Sequence, residues 1–301
     1  MLNQTNWIAR AIVLAVIVSA ALAGTAFAQN GGSPLNNKFA SGWENWAPAD
    51  IDAAVPPVDL ATECSLPAVL KQTSRVVQEM VSNLPKFSAT ERVEHFEQAS
   101  DGKWRQEKPL RFEYLVETQE VRKGMLIVNE TRDDPAAMSK FPAQLATLGL
   151  PALALVFHPY FIDEYEMKCE GLGNFDGYYA WLVHFQQKAD KLPRIRSYRV
   201  RELIFPLKLK GRAWISSDTY QVLHLETDLV EPVSRIRLAR EHIAVDYRPV
   251  HFRKADEDLW LQQRAEVFMD YRGHHYRRVH TFENFKLFTV DTEEKPSAPK
   301  E

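Results

Sequence analysis

The 301-residue chain has two cysteines, Cys64 and Cys169, and twelve glycines, and it contains no GxSxG, HExxH or CxxC pattern. Each absence removes a class of chemistry. Without a nucleophile elbow there is no local sign of a serine hydrolase, and without paired ligand spacings there is none of a zinc site. The scattered glycines build no loop that would cradle phosphates. Past the first thirty residues no apolar run reaches the roughly 20 residues that a spanning helix needs. Strong net charge is also missing: 37 Lys and Arg face 40 Asp and Glu, a formal charge of −3. Nucleic acid is therefore a poor partner.

What is present begins with a polar start carrying Arg10, an apolar run from Ala11 to Ala23 and the small-residue pattern Ala26-Phe27-Ala28. This is the layout of a signal peptide over residues 1–28, cleaved near Ala28, which places the mature chain in the periplasm or outside the cell. In that oxidising setting Cys64 and Cys169 are either a disulfide or two buried thiols. A bridge would close a loop of roughly 100 residues, worth up to about 4–5 kcal/mol in the chain-entropy description. Charge is uneven as well: Lys188 to Lys286 holds 20 Lys and Arg against 14 Asp and Glu. A basic C-terminal half can meet a membrane or a protein partner, or can simply be the solvated face of a sheet.

Residues 29–62 are rich in Gly, Pro, Asn and Ala and read as a flexible linker, to which Trp43 and Trp46 offer anchors. The tail 291–301 reads as disordered. Between them, Leu66, Val69, Leu70, Val76, Val77, Met80, Val81 and Leu84 recur at helical spacing behind Ser65 and Pro67, which predicts an amphipathic helix over 66–84. From Phe87 the period becomes two, as in Leu110, Phe112, Tyr114 and Val116, and short polar turns join one strand pattern to the next. Residues 142–157 are apolar nearly all round and read as a second helix that can bend at Gly149 or Pro151. The expected fold is α+β: one large curved antiparallel sheet of about ten or eleven strands, an incomplete β-barrel with two helices on its concave face, in one domain over 63–290.

The helix 66–84, the apolar segment 142–157 and the strands ending in "KGRAWISSDTYQVLHLETD", "VDYRPVHF" and "LWLQQRAEVFMDYRGHHYRRVHTFENFKLF" resemble the outer membrane lipoprotein-sorting superfamily of the LolA, LolB, RseB and LppX type. The likeness spans about 220 residues and rests on architecture and cadence. It implies a hydrophobic cavity between sheet and helices that takes a lipid or lipoprotein acyl chain, without catalytic residues, metal or cofactor. The apolar residues placed along that cavity are Leu148, Leu153, Leu155 and Phe157 from the second helix, with Trp181, Phe185, Trp214 and Leu225 from the sheet. A protein-interaction or envelope-sensing module of the same fold, without bound lipid, is the alternative. In the hairpin 209–229, Ala213 and Ile215 share one face and Leu223, Leu225 and Leu229 another run of one face, with Arg212, His224, Glu226 and Asp228 opposite.

Titratable clusters give no competing site. In "RGHHYRRVH", His274 and His280 share strand parity and His275 does not, so the three do not converge as metal ligands. The carboxylates of 163–166 and 256–258 fall at expected turns, where solvation explains them better than paired acid–base work.

Overall fold

The computed structural model describes residues 46–84, 86–122, 125–133, 141–201, 203–252 and 257–288. The signal segment 1–28, the first part of the linker and the tail 291–301 lie outside the described residues. Fourteen strands form among the described residues. They are β1 (Lys86–Gln98), β2 (Trp104–Gln106), β3 (Leu110–Arg122), β4 (Met125–Arg132), β5 (Leu145–Leu148), β6 (Tyr165–Phe175) and β7 (Tyr178–Gln187). The chain continues through β8 (Arg196–Val200), β9 (Leu203–Leu207), β10 (Leu209–Ser216), β11 (Val222–Leu229), β12 (Leu238–Phe252), β13 (Glu257–Tyr271) and β14 (His274–Leu287).

Eleven strands make one antiparallel sheet in the order β4-β3-β1-β14-β13-β12-β11-β10-β7-β6, with β2 on β1. Its outer strands β4 and β6 do not pair, so the sheet stays open. The expected large sheet is thus present, and β5, β8 and β9 add a separate three-stranded sheet that the sequence reading did not anticipate.

Helix α1 (Leu66–Asn83) forms as predicted. Val69, Thr73, Val76, Val77 and Met80 make its buried stripe, and Pro67 occupies its first turn, where its missing N–H is harmless. The Ser65 side chain makes no capping bond; its carbonyl accepts from Val69 N at 3.0 Å. The stripe joins one core with Phe87 and Tyr114 from β1 and β3, Phe185 from β7, Leu225 from β11 and Val245 from β12. The sheet face carrying these residues is the inner face.

The second helix is not formed. Residues 142–157 split into a 3-10 turn at Pro142–Gln144, strand β5, a bend at Gly149 and a 3-10 turn at Leu153–Phe157. An apolar run that is buried all round has no period to separate strand from helix. Two local features decide it. Gly149 holds φ at +86°, and a Cβ there would stand 2.6 Å from the Ile195 carbonyl oxygen, while β5 finds backbone partners in β8, Thr147 opposite Tyr198. The expectation of two helices is therefore corrected to one among the described residues.

A second correction concerns β11. Ile215 pairs with Val222 and Trp214 with His224, so Leu223 is the extra residue of a bulge. Val222 and Leu225 reach the inner core, whereas Leu223 packs outside with Ala180, Leu182 and Trp214.

Residues 46–62, read from sequence as the end of a linker, lie along the outer face as a strap. Trp46 stacks on His275 at 4.1 Å with the Arg240 guanidinium over its ring, and Ile51 is buried with its N–H donating to Asp228 at 2.9 Å. Lys210 donates to Asp50 at 2.7 Å and to Asp52 at 2.5 Å. Asp59 bridges Leu172 at the free edge of β6, and a Cβ on Gly171 would press on Val58 at 3.0 Å. The Cys64–Cys169 disulfide, Cα atoms 6.4 Å apart, then ties the strap's end to β6 just before α1 begins on the inner face.

Replacing Gly149 by Ala combines a strained left-handed residue with a backbone clash. The expected loss is roughly 2–4 kcal/mol, read as a lower urea midpoint; wild-type stability would show that the bend is not needed.

Candidate functional site

The inner face is not uniformly apolar. Along β1 the residues Phe87, Ala89, Glu91, Val93 and His95 share a side, and the registers carry that side to Tyr114 and Phe112 on β3 and to Phe282, His280 and Arg278 on β14. Glu130 and Arg132 of β4 lie opposite Val116 and Tyr114, and Glu241 of β12 lies opposite Met269. A row of charged side chains thus runs through the interior at positions where alternation calls for apolar ones.

Arg132 anchors the row. It donates to both oxygens of Glu91, at 2.5 and 2.8 Å, and lies over the rings of Phe141 and Tyr114 at 5.0 and 5.2 Å. Its Nη2 also reaches the Thr147 carbonyl at 3.5 Å. Arg278 donates to the Leu145 carbonyl, to the Thr147 hydroxyl at 3.1 Å and to His95 Nδ1 at 3.0 Å. Arg196 donates to the Leu148 carbonyl at 2.5 Å and to Glu241 at 2.7 Å, with its guanidinium over Tyr198. Glu130 closes the set by accepting from Gly149 N at 2.7 Å. Three arginines and one glutamate therefore clasp the backbone of residues 145–149.

Burial and pairing divide the titrating groups. Burial alone would raise the Glu91 carboxyl, but Arg132 and His280, whose Nδ1 is 2.8 Å away, outweigh it and hold it at about 2. Burial raises Glu130 despite Arg132 and the Gly149 amide, and raises Glu241 despite Arg196. Burial lowers His95 to about 3, helped by the positive charge of Arg278. Its ring is therefore neutral, as its role as acceptor from Arg278 requires.

The apolar residues expected along a cavity divide in the structure. Leu153, Leu155 and Phe157 are fully buried in the 3-10 turn, and Phe157 meets Phe185 edge-on at 6.0 Å. Leu225 belongs to the same core, and the half-buried Trp181 packs against it. Leu148 is buried too, and its carbonyl is the one that Arg196 holds. Trp214 is displaced: it sits on the outer face beside Phe175, edge-on to His224 at 4.9 Å. Its parity with Arg212 sends it there.

The histidines go separate ways. His274 meets Glu97 at 2.9 Å, His275 meets Gln98 and Trp46, and His280 is buried against Glu91. Outside, His224 lies between Asp246 at 2.7 Å and Glu226 at 3.3 Å; burial opposes its charge, but the two carboxylates raise it to about 9. The sequence reading passed over the clasp, although Glu91 stands at inward parity between Ala89 and Val93, and Glu130, Arg278 and His280 each have an apolar or aromatic neighbour on that side.

No family model matches the chain, and no curated protein does. Among solved structures it is similar to a domain described as an outer membrane lipoprotein-sorting protein from Vibrio parahaemolyticus, at 9% identity and TM-score 0.38, covering 69% of this chain and 87% of that one. It is similar to a DUF1329 family protein from Desulfovibrio piger at 14% identity and TM-score 0.37, covering 76% and 95%. A LolA superfamily protein from Nitrosomonas europaea gives 11% and 0.37, covering 76% and 96%. Two of these descriptions, the first and the third, carry the name of the superfamily that the sequence cadence resembles, and at such identities and scores the likeness carries no further argument.

The His95 ring ties stability to acid. Its folded-state pKa of about 3 lies below the ordinary 6.5, so the unfolded chain binds more protons between those values. The stability it contributes is complete above pH 6.5 and is lost as pH falls toward 3. His95→Gln keeps an acceptor for Arg278, and between pH 4 and 6 it should flatten the fall in unfolding free energy by about one proton, ~1.4 kcal/mol per pH unit. Equal slopes in urea titrations would contradict the assignment.

Proposed function

We propose that this chain is a non-enzymatic carrier, working outside the cytoplasmic membrane, that holds a lipid or lipoprotein acyl chain between the inner face and residues 145–157. The observation that carries this reading is the nature of the cover. Over the inner face, beside α1, lies a short apolar segment that is not a helix, buried throughout, bent at Gly149 and hung by its backbone on a polar clasp. Such a segment can leave as a unit and let an acyl chain take its place.

Magnitudes allow the exchange. A sixteen-carbon chain brings about fourteen methylenes, ~11 kcal/mol of transfer free energy at ~0.8 kcal/mol each. Exposing Leu145, Leu148, Leu150, Leu153, Leu155, Val156 and Phe157, all buried, costs about 10–21 kcal/mol at 1.5–3 kcal/mol per side chain. One acyl chain offsets the lower end of that range and two the upper, which suits a carrier that must also let go.

Hydrogen exchange with a synthetic dipalmitoyl lipopeptide tests the reading. Amides of 145–157 should lose protection on saturation while those of β10 to β13 keep theirs. Unchanged protection at 145–157 would make the segment permanent core, and a salt-sensitive protein complex in its stead would favour the interaction module.

A further inference from the structure

Strand β9 is the outer strand of the small sheet and pairs only with β8. It also exposes more large aliphatic side chains than any other described strand. Leu203 is 61% exposed and Ile204 40%; Pro206 is exposed and Phe205 half-buried beneath the Arg235 guanidinium, 5.5 Å from its ring centre. Leu203 and Ile204 project to opposite sides of this edge strand, so both sides of the edge carry exposed apolar surface, which needs an occupant more than a single exposed residue does.

The surroundings are basic. Arg199 stands opposite Ile204 across the strands, and Arg201, at φ +55°, makes the turn between them. Arg235 and Arg237 belong to the 3-10 turn Ser234–Ile236 and its cap. Residues 199–208 and 231–237 together hold Arg199, Arg201, Lys208, Arg235 and Arg237 against Glu202 and Glu231. Arg201 and Arg235 are exposed and form no ion pair with other described residues.

We infer that β9 and its arginines are a docking face for a bilayer surface bearing anionic headgroups. Guanidinium groups pair with lipid phosphates while short apolar side chains between them reach the acyl boundary. Two observations set this occupant above a protein strand. Pro206 lacks the N–H that an added strand would use, and a five-residue edge is small beside the roughly 800 Å² per partner of a stable protein interface. The face stands on observations separate from the acyl site. It also lies in the sheet that holds β5: β9 pairs with β8, whose Arg196 donates to the Leu148 carbonyl.

Flotation of the full chain with vesicles decides the matter. Phosphatidylcholine vesicles containing about one-third phosphatidylglycerol should bind it, pure phosphatidylcholine vesicles should not, and about 0.5 M salt should weaken binding roughly tenfold or more. Leu203→Ser with Ile204→Ser, and separately Arg201→Glu with Arg235→Glu, should each lower partitioning at least tenfold while the urea midpoint stays at the wild-type value. Partitioning unchanged in both variants, or equal on neutral vesicles, would overturn the inference. So would sedimentation showing a wild-type dimer that these substitutions dissociate, since a second copy would then be the occupant. Lipopeptide retention should be the same in wild type and variants, so failure of this face and failure of the acyl site are told apart.

Discussion

Three buried arginines that hold the backbone of one four-residue strand set the terms for the rest of the interior. Arg278 reaches the Leu145 carbonyl from β14, Arg132 touches that of Thr147 from β4, and Arg196 takes that of Leu148 from β8. A guanidinium suits this work because its planar fork presents five donors and cannot lose its charge. Burying three of them costs several kcal/mol each unless they are paired, and Glu91, Glu241 and the rings of Tyr114, Phe141 and Tyr198 supply the pairing. The clasp therefore adds little net stability for its size. It admits only one register, because a one-residue slip of β5 would leave Arg278 and Glu130 facing the wrong backbone groups.

That constraint gives the fold two kinds of covering. On the outer face the strap is sealed by many modest contacts, from the Trp46 stack to the Lys210 pairs, and is tied down by the Cys64–Cys169 bridge. On the inner face α1 is a stable amphipathic helix, while 145–157 has only four strand residues and a 3-10 turn. A cover held by a few directional bonds opens in one step when they break. On the proposed reading, this is the difference between a face that is closed for good and one that can exchange its contents.

How much could be read from sequence followed from periodicity. The 66–84 stripe and the alternation after Phe87 each have one face to bury, and both formed the elements they predicted. The 142–157 run has no polar face, so its period carried no information, and the outcome was decided by Gly149 and by pairing with a strand fifty residues on. Trp214 was misplaced because its neighbours Ala213 and Ile215, not Trp214 itself, point inward, and Leu223 because a bulge flips its side. The clasp was visible as Glu91, Arg132 and Arg278 at inward parity, but parity alone cannot say that charges so far apart in the chain meet.

The central claim is that the inner face is a site for an acyl chain. Native mass spectrometry with lipid extraction, on full-length protein isolated from the cell envelope without detergent, tests it most directly. The account predicts a stoichiometric adduct whose extract carries long acyl chains. A clean mass with no adduct and no extracted lipid would contradict it.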